Sequence, residues 1–553
     1  MDKLYRFLIC LFIAAYSLPA SLVYAQFSPT PTTVYISKLK EINPTGSGVP
    51  SRFIEFGGKV YFSANDGING NELWVTDGTE AGTVLFKNIN QGGDSSPNKF
   101  TIMNGVLYFS ADDGVNGDEL WKTDGTPGGT QLVRNINPAG AHAYPSYLVA
   151  NGSMLFFFAN NGTNGRELWK TDGTANGTRM VKEINPTGQV GDFPSPVLLN
   201  GKLYFAAKEA EGNIEFWVSD GTEVGTKRVK EINPTGSAFA GFPAEIQVCN
   251  GLVYFVADDG VHGQELWKSD GSSAGTTLVK DIWTSGEPNP DSPKFLTTVG
   301  TTLFFTARNS FYGTEIWKSD GTSTGTVQVR NINPNGSSSP YGLVSFQNQL
   351  FFGAFDSDAI ALWKSDGTST GTQKVSTVEP VFITVAGNYL YFDHSGPWRS
   401  DGTSEGTRQL GPLANLGYDS NQFIKLGTKV LFSAKNTNSG GSDYELYKIS
   451  PCTACPIGSR EGISEESPTE LTLTLLHNPT PDAVRVEVSG ANGQPLSLQL
   501  VTLLGQPIDS KSIENAQALE RHQFDIRSLP NGILLLRAIS RDRSQTIRVS
   551  KTD

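Results

Sequence analysis

Glu72-Leu73-Trp74-Val75-Thr76-Asp77-Gly78-Thr79, closed by Gly82-Thr83, is the stretch from which the fold is read. Copies of it carry Trp74, Trp121, Trp169, Trp217, Trp267, Trp317, Trp363 and Trp398, spaced by 47, 48, 48, 50, 50, 46 and 35 residues. A ninth, degenerate copy, Glu445-Leu446-Tyr447-Lys448, follows 49 residues after Trp398, and Trp283 alone stands outside the series. Such a period signals a repeat architecture. The second copy shows its content: runs Phe100 to Met103, Val106 to Ala111, Glu119 to Thr123 and Gln131 to Ile136, separated by Asn104-Gly105, Asp112 to Gly117 and Asp124-Gly125-Thr126. Asn-Gly and Asp-Gly tolerate positive φ and close tight connections. Four antiparallel runs per period of this length predict one propeller blade per repeat.

The chain begins in mid-period. Lys38-Leu39-Lys40-Glu41-Ile42-Asn43-Pro44-Thr45-Gly46 matches the fourth-run segment Val181 to Gly188, and the ninth copy lacks that run. An N-terminal strand that completes the last blade favours a closed ring over a solenoid, which needs capped ends. The expected fold is therefore all-β: a β-propeller of about nine four-stranded blades, eight being the alternative, closed by the N-terminal strand, plus a small C-terminal β-sandwich. The short spacing before Trp398 marks a trimmed blade, or one that does not form. Side chains alternate along a strand, so Leu and Trp point into opposite neighbouring blades and read as core.

The repeats resemble the bacterial ELWxxDGTxxGT repeat proteins over roughly residues 33–450; Trp121 to Thr126 and Trp317 to Thr322 match the motif fully. The copies at Phe216-Trp217, Ala361-Leu362-Trp363 and Pro397-Trp398 depart from it. The resemblance assigns no activity.

Four segments are expected: a signal peptide at 1–25, the propeller at 26–450, a linker at 451–469 and a C-terminal module at 470–553. Lys3 and Arg6 precede the apolar run Phe7 to Ala15, and Val23-Tyr24-Ala25 offers a cleavage site. No run is long and apolar enough for a comfortable membrane span. Cys452 and Cys455 lie in the linker between Pro451 and Pro456, where an exported chain favours a small disulfide. Cys249 reads as buried filler. Beyond the linker, Val484, Val486 and Val488, then Leu496, Leu498 and Leu500, alternate as in strands.

This module resembles the type IX secretion sorting domain of Bacteroidota. Asn478, Pro479 and Asp482 match its opening strand, Gly505 its central turn, and Leu529, Pro530 and Gly532 its Leu-Pro-x-Gly segment; Lys551 closes the match. His477 and Ile533 stand where that family usually has aromatics. The resemblance implies the type IX machinery as partner, and release or attachment at the outer face of the outer membrane. A net charge of −12 excludes a phosphate-tracking nucleic-acid surface.

Catalysis needs a positioned acid and base or an activated nucleophile. The five histidines are scattered, no HExxH, GxSxG, Walker or Rossmann pattern occurs, and no catalytic residue is singled out. If the fourth run is outermost, the Asn-Pro-Thr-Gly-Ser crossovers share a face with loops carrying Asp66 and Asn69, Asp113 and Asn116, Asn161 and Asn164, and Asp259 and His262. These oxygen-rich loops could bind calcium or glycan hydroxyls; turn formation alone also demands these residues. No other cofactor is expected. A surface scaffold binding polysaccharide or protein is the leading reading. A glycan-active hydrolase or lyase and a self-associating surface-layer component are the alternatives.

Overall fold

In the computed structural model the described residues are 34–451 and 471–552, without 139–140, 187, 192–194, 211, 240–244, 285–291, 310, 411–415, 418–421, 437–442, 476–481, 490, 492–493, 503–505, 518 and 541–542. The signal segment, the linker with Cys452 and Cys455, and Asn478, Pro479 and Gly505 lie outside them. The described residues are all-β, in antiparallel sheets.

Nine sheets follow one another among residues 34–451. The first runs Ser51–Phe56, Lys59–Asn65, Asn71–Thr76 and Val84–Lys87, in that order across the sheet. The eighth forms with shortened strands, Val381–Ala386, Tyr389–Asp393, Pro397–Ser400 and Arg408–Gln409. The ninth takes Phe423–Leu426, Lys429–Asn436 and Tyr444–Pro451 from the end of the repeats, with Leu416–Gly417 on an edge. Its outer strand is Val34–Lys40, paired antiparallel so that Ser37 faces Lys448 and Ile36 faces Ile449.

Sequence dictates this assembly through one cross-strand pair. A phenylalanine of each second strand sits opposite the motif tryptophan: Phe62 with Trp74, Phe109 with Trp121, Phe157 with Trp169, and onward to Phe392 with Trp398. Phe432 faces Tyr447 in the ninth sheet. Such aromatic pairs stabilise a sheet locally, while the neighbouring sheet buries the rings. Leu73 belongs to the core shared by sheets one and two, and Trp74 to the core shared by sheets nine and one. Each later pair of sheets shares a core in turn, and the succession returns through Tyr391, Phe423 and Tyr447 to the starting sheet. The first strands lie side by side in the same order, and that of the ninth sheet touches those of both the eighth and the first.

The C-terminal module packs a three-stranded sheet (Thr472–Leu475, Ala483–Ser489, Leu519–Asp525) on a four-stranded one (Pro507–Ile513, Leu496–Thr502, Gly532–Ser540, Arg543–Lys551). Val484, Val486, Val488, Leu496, Leu498, Leu500 and Phe524 form the core between them.

Candidate functional site

The connections between strands gather at two opposite ends of the sheets. At one end sits the Asp-Gly-Thr turn. Asp172 Oδ1 accepts hydrogen bonds from the Thr174 amide and hydroxyl, the Gly177 amide donates to Thr174 Oγ1, and the Thr171 and Thr178 hydroxyls meet at 2.7 Å. A Cβ on Gly177 would overlap the Asp172 carboxylate. The motif is thus one hydrogen-bonded unit, and these bonds hold Asp172 below the usual carboxylate range.

The other end carries the crossovers. The motif glutamate, wholly buried, holds them. Glu167 accepts from the amides of Ile184 at 2.8 Å and Asn185 at 3.1 Å, and Glu119 from Ile136 and Asn137, both at 2.9 Å. Glu72, Glu215, Glu265 and Glu315 do the same. Glu445 completes the set across the whole chain: its partners are the amides of Ile42 at 2.6 Å, Asn43 at 3.3 Å and Gly48 at 3.1 Å. Burial pushes Glu119, Glu167, Glu215, Glu265 and Glu445 up to about 7, although the amides oppose it. Sheet seven has Ala361 and sheet eight Gly396 at this position, and neither crossover carries the Ile-Asn or Ile-Trp pair whose amides the glutamate receives elsewhere. The glutamate occurs where there is a loop of amides to receive.

The loop residues singled out in the sequence lie at this crossover end. Asp66 accepts from the amides of Ile68 and Asn69 and from Asn69 Nδ2; Asn69 Oδ1 then accepts from Asn88 of the crossover at 2.9 Å. Asp113, Asn116 and Asn135 repeat the arrangement. Asn161 donates to Asn164 Oδ1, and Asn164 in turn to Glu183. Asp259 accepts from the His262 amide and meets its Nδ1 at 2.8 Å, which raises the His262 pKa. Each pair is brought together, while different pairs stay on different sheets. Their oxygens are engaged within the loops. Among the described residues no group of three or more His, Cys, Asp or Glu side chains is placed to hold a metal ion.

Sequence reasoning missed two features of this end. The first is strain. Arg52, Lys99, Tyr147, Phe295 and Phe382, at matching places in first strands, have φ of 61°, 57°, 53°, 57° and 54°. A β-bulge breaks the register at each. Val49, Ser96 and Tyr144, three residues earlier, are also left-handed. Bulky residues avoid this region, and strain of this kind collects at functional sites. Arg52, Lys99, Phe295 and Phe382 are exposed. Unlike the motif, these positions differ in chemistry from sheet to sheet. The only signal available in the sequence was that divergence at one repeat position. Farther out, Ile68, Val115, Val261 and Phe311 tip their loops, each more than three-quarters exposed.

The second feature is a histidine on sheet two, in the place that Asp94, Ser237 and Ser337 fill on sheets one, four and six. His142 Nδ1 accepts from the Asp118 amide at 2.9 Å, lies 3.6 Å from Asp112, and stacks on Tyr144 at 4.9 Å. Burial first, and the nearby Asp112 to a lesser degree, push Asp118 up to about 6.

Comparison with known proteins adds the following. The chain resembles a puromycin hydrolase mutant (12% identity, 71% of this chain, 58% of the other, TM-score 0.32). It also resembles prolyl oligopeptidase B from Galerina marginata (8%, 72%, 56%, 0.38) and an acylaminoacyl peptidase from Pyrococcus horikoshii (11%, 70%, 57%, 0.32). The chain spans under two thirds of the length of each, and likeness this weak assigns no activity. No curated protein sequence matches the chain. Residues 477–551 match the family model described as a secretion system C-terminal sorting domain. In that module Leu529 packs on the sandwich core, Pro530 links it to the strand that starts at Gly532, Gly532 pairs with Lys551, and Asp482 accepts from the Ile526 amide through its backbone carbonyl. The C-terminal module is a type IX sorting domain, which supports export through that machinery to the cell surface or beyond.

Proposed function

We propose that the nine sheets are the blades of one closed propeller, and that the exported protein is a scaffold binding an acidic polysaccharide on its crossover face. The carrying observation is the set of strained first-strand bulges. They present two cations, Arg52 and Lys99, and two exposed aromatic rings, Phe295 and Phe382, with Tyr147 half-buried at the same position, on a framework that is otherwise nearly uniform. Aromatic faces suit the apolar faces of sugar rings, and cations suit acid groups. In a closed ring these positions surround the mouth of the central channel, with the Asp66, Asp113, Asn161 and Asp259 loops outside them. In this reading calcium at those loops would bridge them to acid groups of the ligand.

A second reading, a glycan-active hydrolase or lyase, is favoured by the Asp118–His142–Asp112 cluster, which sets a raised acid beside a histidine. One experiment separates the two. The full chain is titrated with polygalacturonate and with a neutral β-glucan, and reducing ends are assayed alongside. Binding of the acidic polymer alone, weakened at least tenfold when Arg52, Lys99 and Phe382 are changed to Ala, with no new ends, is the expected result. Cleavage abolished by Asp118→Asn would replace the scaffold reading with the enzymatic one. Equal binding of both polymers, or of neither, would overturn the scaffold reading.

A further inference from the structure

At the opposite end of the molecule the repeat fails in one place, between sheets eight and nine. Elsewhere the Asp-Gly-Thr turn of each sheet lies over the preceding sheet. The turn glycines Gly173, Gly271 and Gly321 rest on the second-strand rings Tyr108, Tyr204 and Tyr254, with no room for a Cβ. The lysine paired with such a ring donates to the turn carbonyl, as Lys122 does to Gly173 at 2.8 Å and Lys268 to Gly321 at 2.8 Å. In sheet eight the ring is Tyr391 and its cross-strand partner is Arg399. Sheet nine has no such turn to lay over them. Its third strand runs straight on through Ser450 and Pro451, because Val34–Lys40 arrives from elsewhere in the chain as its outer strand.

A cavity of about 290 Å³ stands at this place, lined by Tyr389, Tyr391, Arg399, Lys425, Thr428 and Ser450 among others. Arg399 is 2% exposed, with its guanidinium 4.3 Å from the centre of the Tyr389 ring. Lys425 is exposed at the rim, and Lys429 donates to the Gly78 carbonyl on sheet one at 2.7 Å. Among the described residues the lining holds three cationic side chains and no carboxylate. This contrasts with a chain of net charge −12.

We propose that this seam cavity is a binding site for a small oxyanion-bearing ligand of single-ring size, with Arg399 gripping the acid group. A guanidinium fork matches carboxylate and phosphate alike, and the low local dielectric strengthens the contact. The volume, at the lower end for small-molecule sites, is enough for one sugar ring. Tyr389 and Tyr391 form one wall, Tyr391 stacked on Phe423 behind it, and Thr428 and Ser450 supply hydroxyls. The site lies away from the crossover face and does not depend on the polysaccharide reading.

The test titrates the full chain by calorimetry with glucuronate, glucose 6-phosphate and glucose. The expected result is saturable binding of glucuronate or the sugar phosphate, the tighter of the two identifying the acid group, with glucose at least tenfold weaker. Arg399→Gln should remove at least tenfold of that affinity. Lys425→Gln, at the exposed rim where folding is not at stake, should weaken it two- to fivefold. Failure of both acids to bind, glucose binding as tightly, or affinity unchanged in Lys425→Gln and in a folded Arg399→Gln would each overturn the proposal.

Discussion

At the scale of single residues, the most informative positions are those whose role is visible only once their neighbours are placed. Gly177 has no left-handed φ to explain it; it is glycine because the Asp172 carboxylate lies where a Cβ would be. Gly177→Ala should therefore destabilise the chain by about 1–3 kcal/mol, the usual cost of overpacking. Asp172→Ala alone should cost about 1 kcal/mol for its lost hydrogen bonds. The double variant should cost less than the sum, because removing the carboxylate makes room for the new methyl group. Denaturant unfolding of the three variants checks this; strict additivity would refute the overlap. The sequence displayed Asp, Gly and Thr at fixed offsets and so a turn. Which glycine serves conformation and which serves space was not legible, since both are written with the same letter.

At the scale of elements, the buried glutamates join strand to crossover. The strands themselves were legible, because alternation and Asn-Gly or Asp-Gly breaks are local signals. The second copy was read at Val106 to Ala111 and Glu119 to Thr123 and is found at Val106–Asp112 and Asp118–Thr123. The clamp was not legible, since its partners lie 17 and 18 residues on, and its glutamate looked like any strand-end charge. Nor were the bulges, because divergence at one repeat position does not reveal that Arg52 or Phe382 is left-handed. The clamp has a consequence for pH. A carboxyl whose pKa rises from the ordinary 4.5 to about 7 on folding keeps its proton in the folded chain while the unfolded chain releases it. Stability then falls as pH rises through that interval and levels off above it. The surface aspartates such as Asp172, held below the ordinary value, act only under more acid conditions. Thermal unfolding should therefore show a higher Tm at pH 5 than at pH 8; the reverse order would mean that the amides hold these glutamates ionised.

At the scale of the whole molecule, the account rests on how the ends of the repeat region meet. The all-β class and the four-stranded unit followed from the period. The mid-period segment Lys38 to Gly46 pointed to a missing outer strand at the N-terminal side, and the strand found is Val34–Lys40, paired antiparallel with Tyr444–Pro451. Glu445 adds what no local pattern could: the same clamp as Glu167, made across 403 residues to Ile42 and 402 to Asn43. The seam this leaves is also where the cavity beside Arg399 opens, so closure and the proposed oxyanion site share one structural cause. Closure is tested most directly by disulfide trapping of Ser37→Cys with Lys448→Cys, in a chain where Cys452 and Cys455 are changed to Ser. The account predicts that a 37–448 cross-link forms under mild oxidation, is found by peptide mapping, and raises the Tm. Two thiols that stay reduced and react freely with an alkylating agent in the folded chain would contradict it.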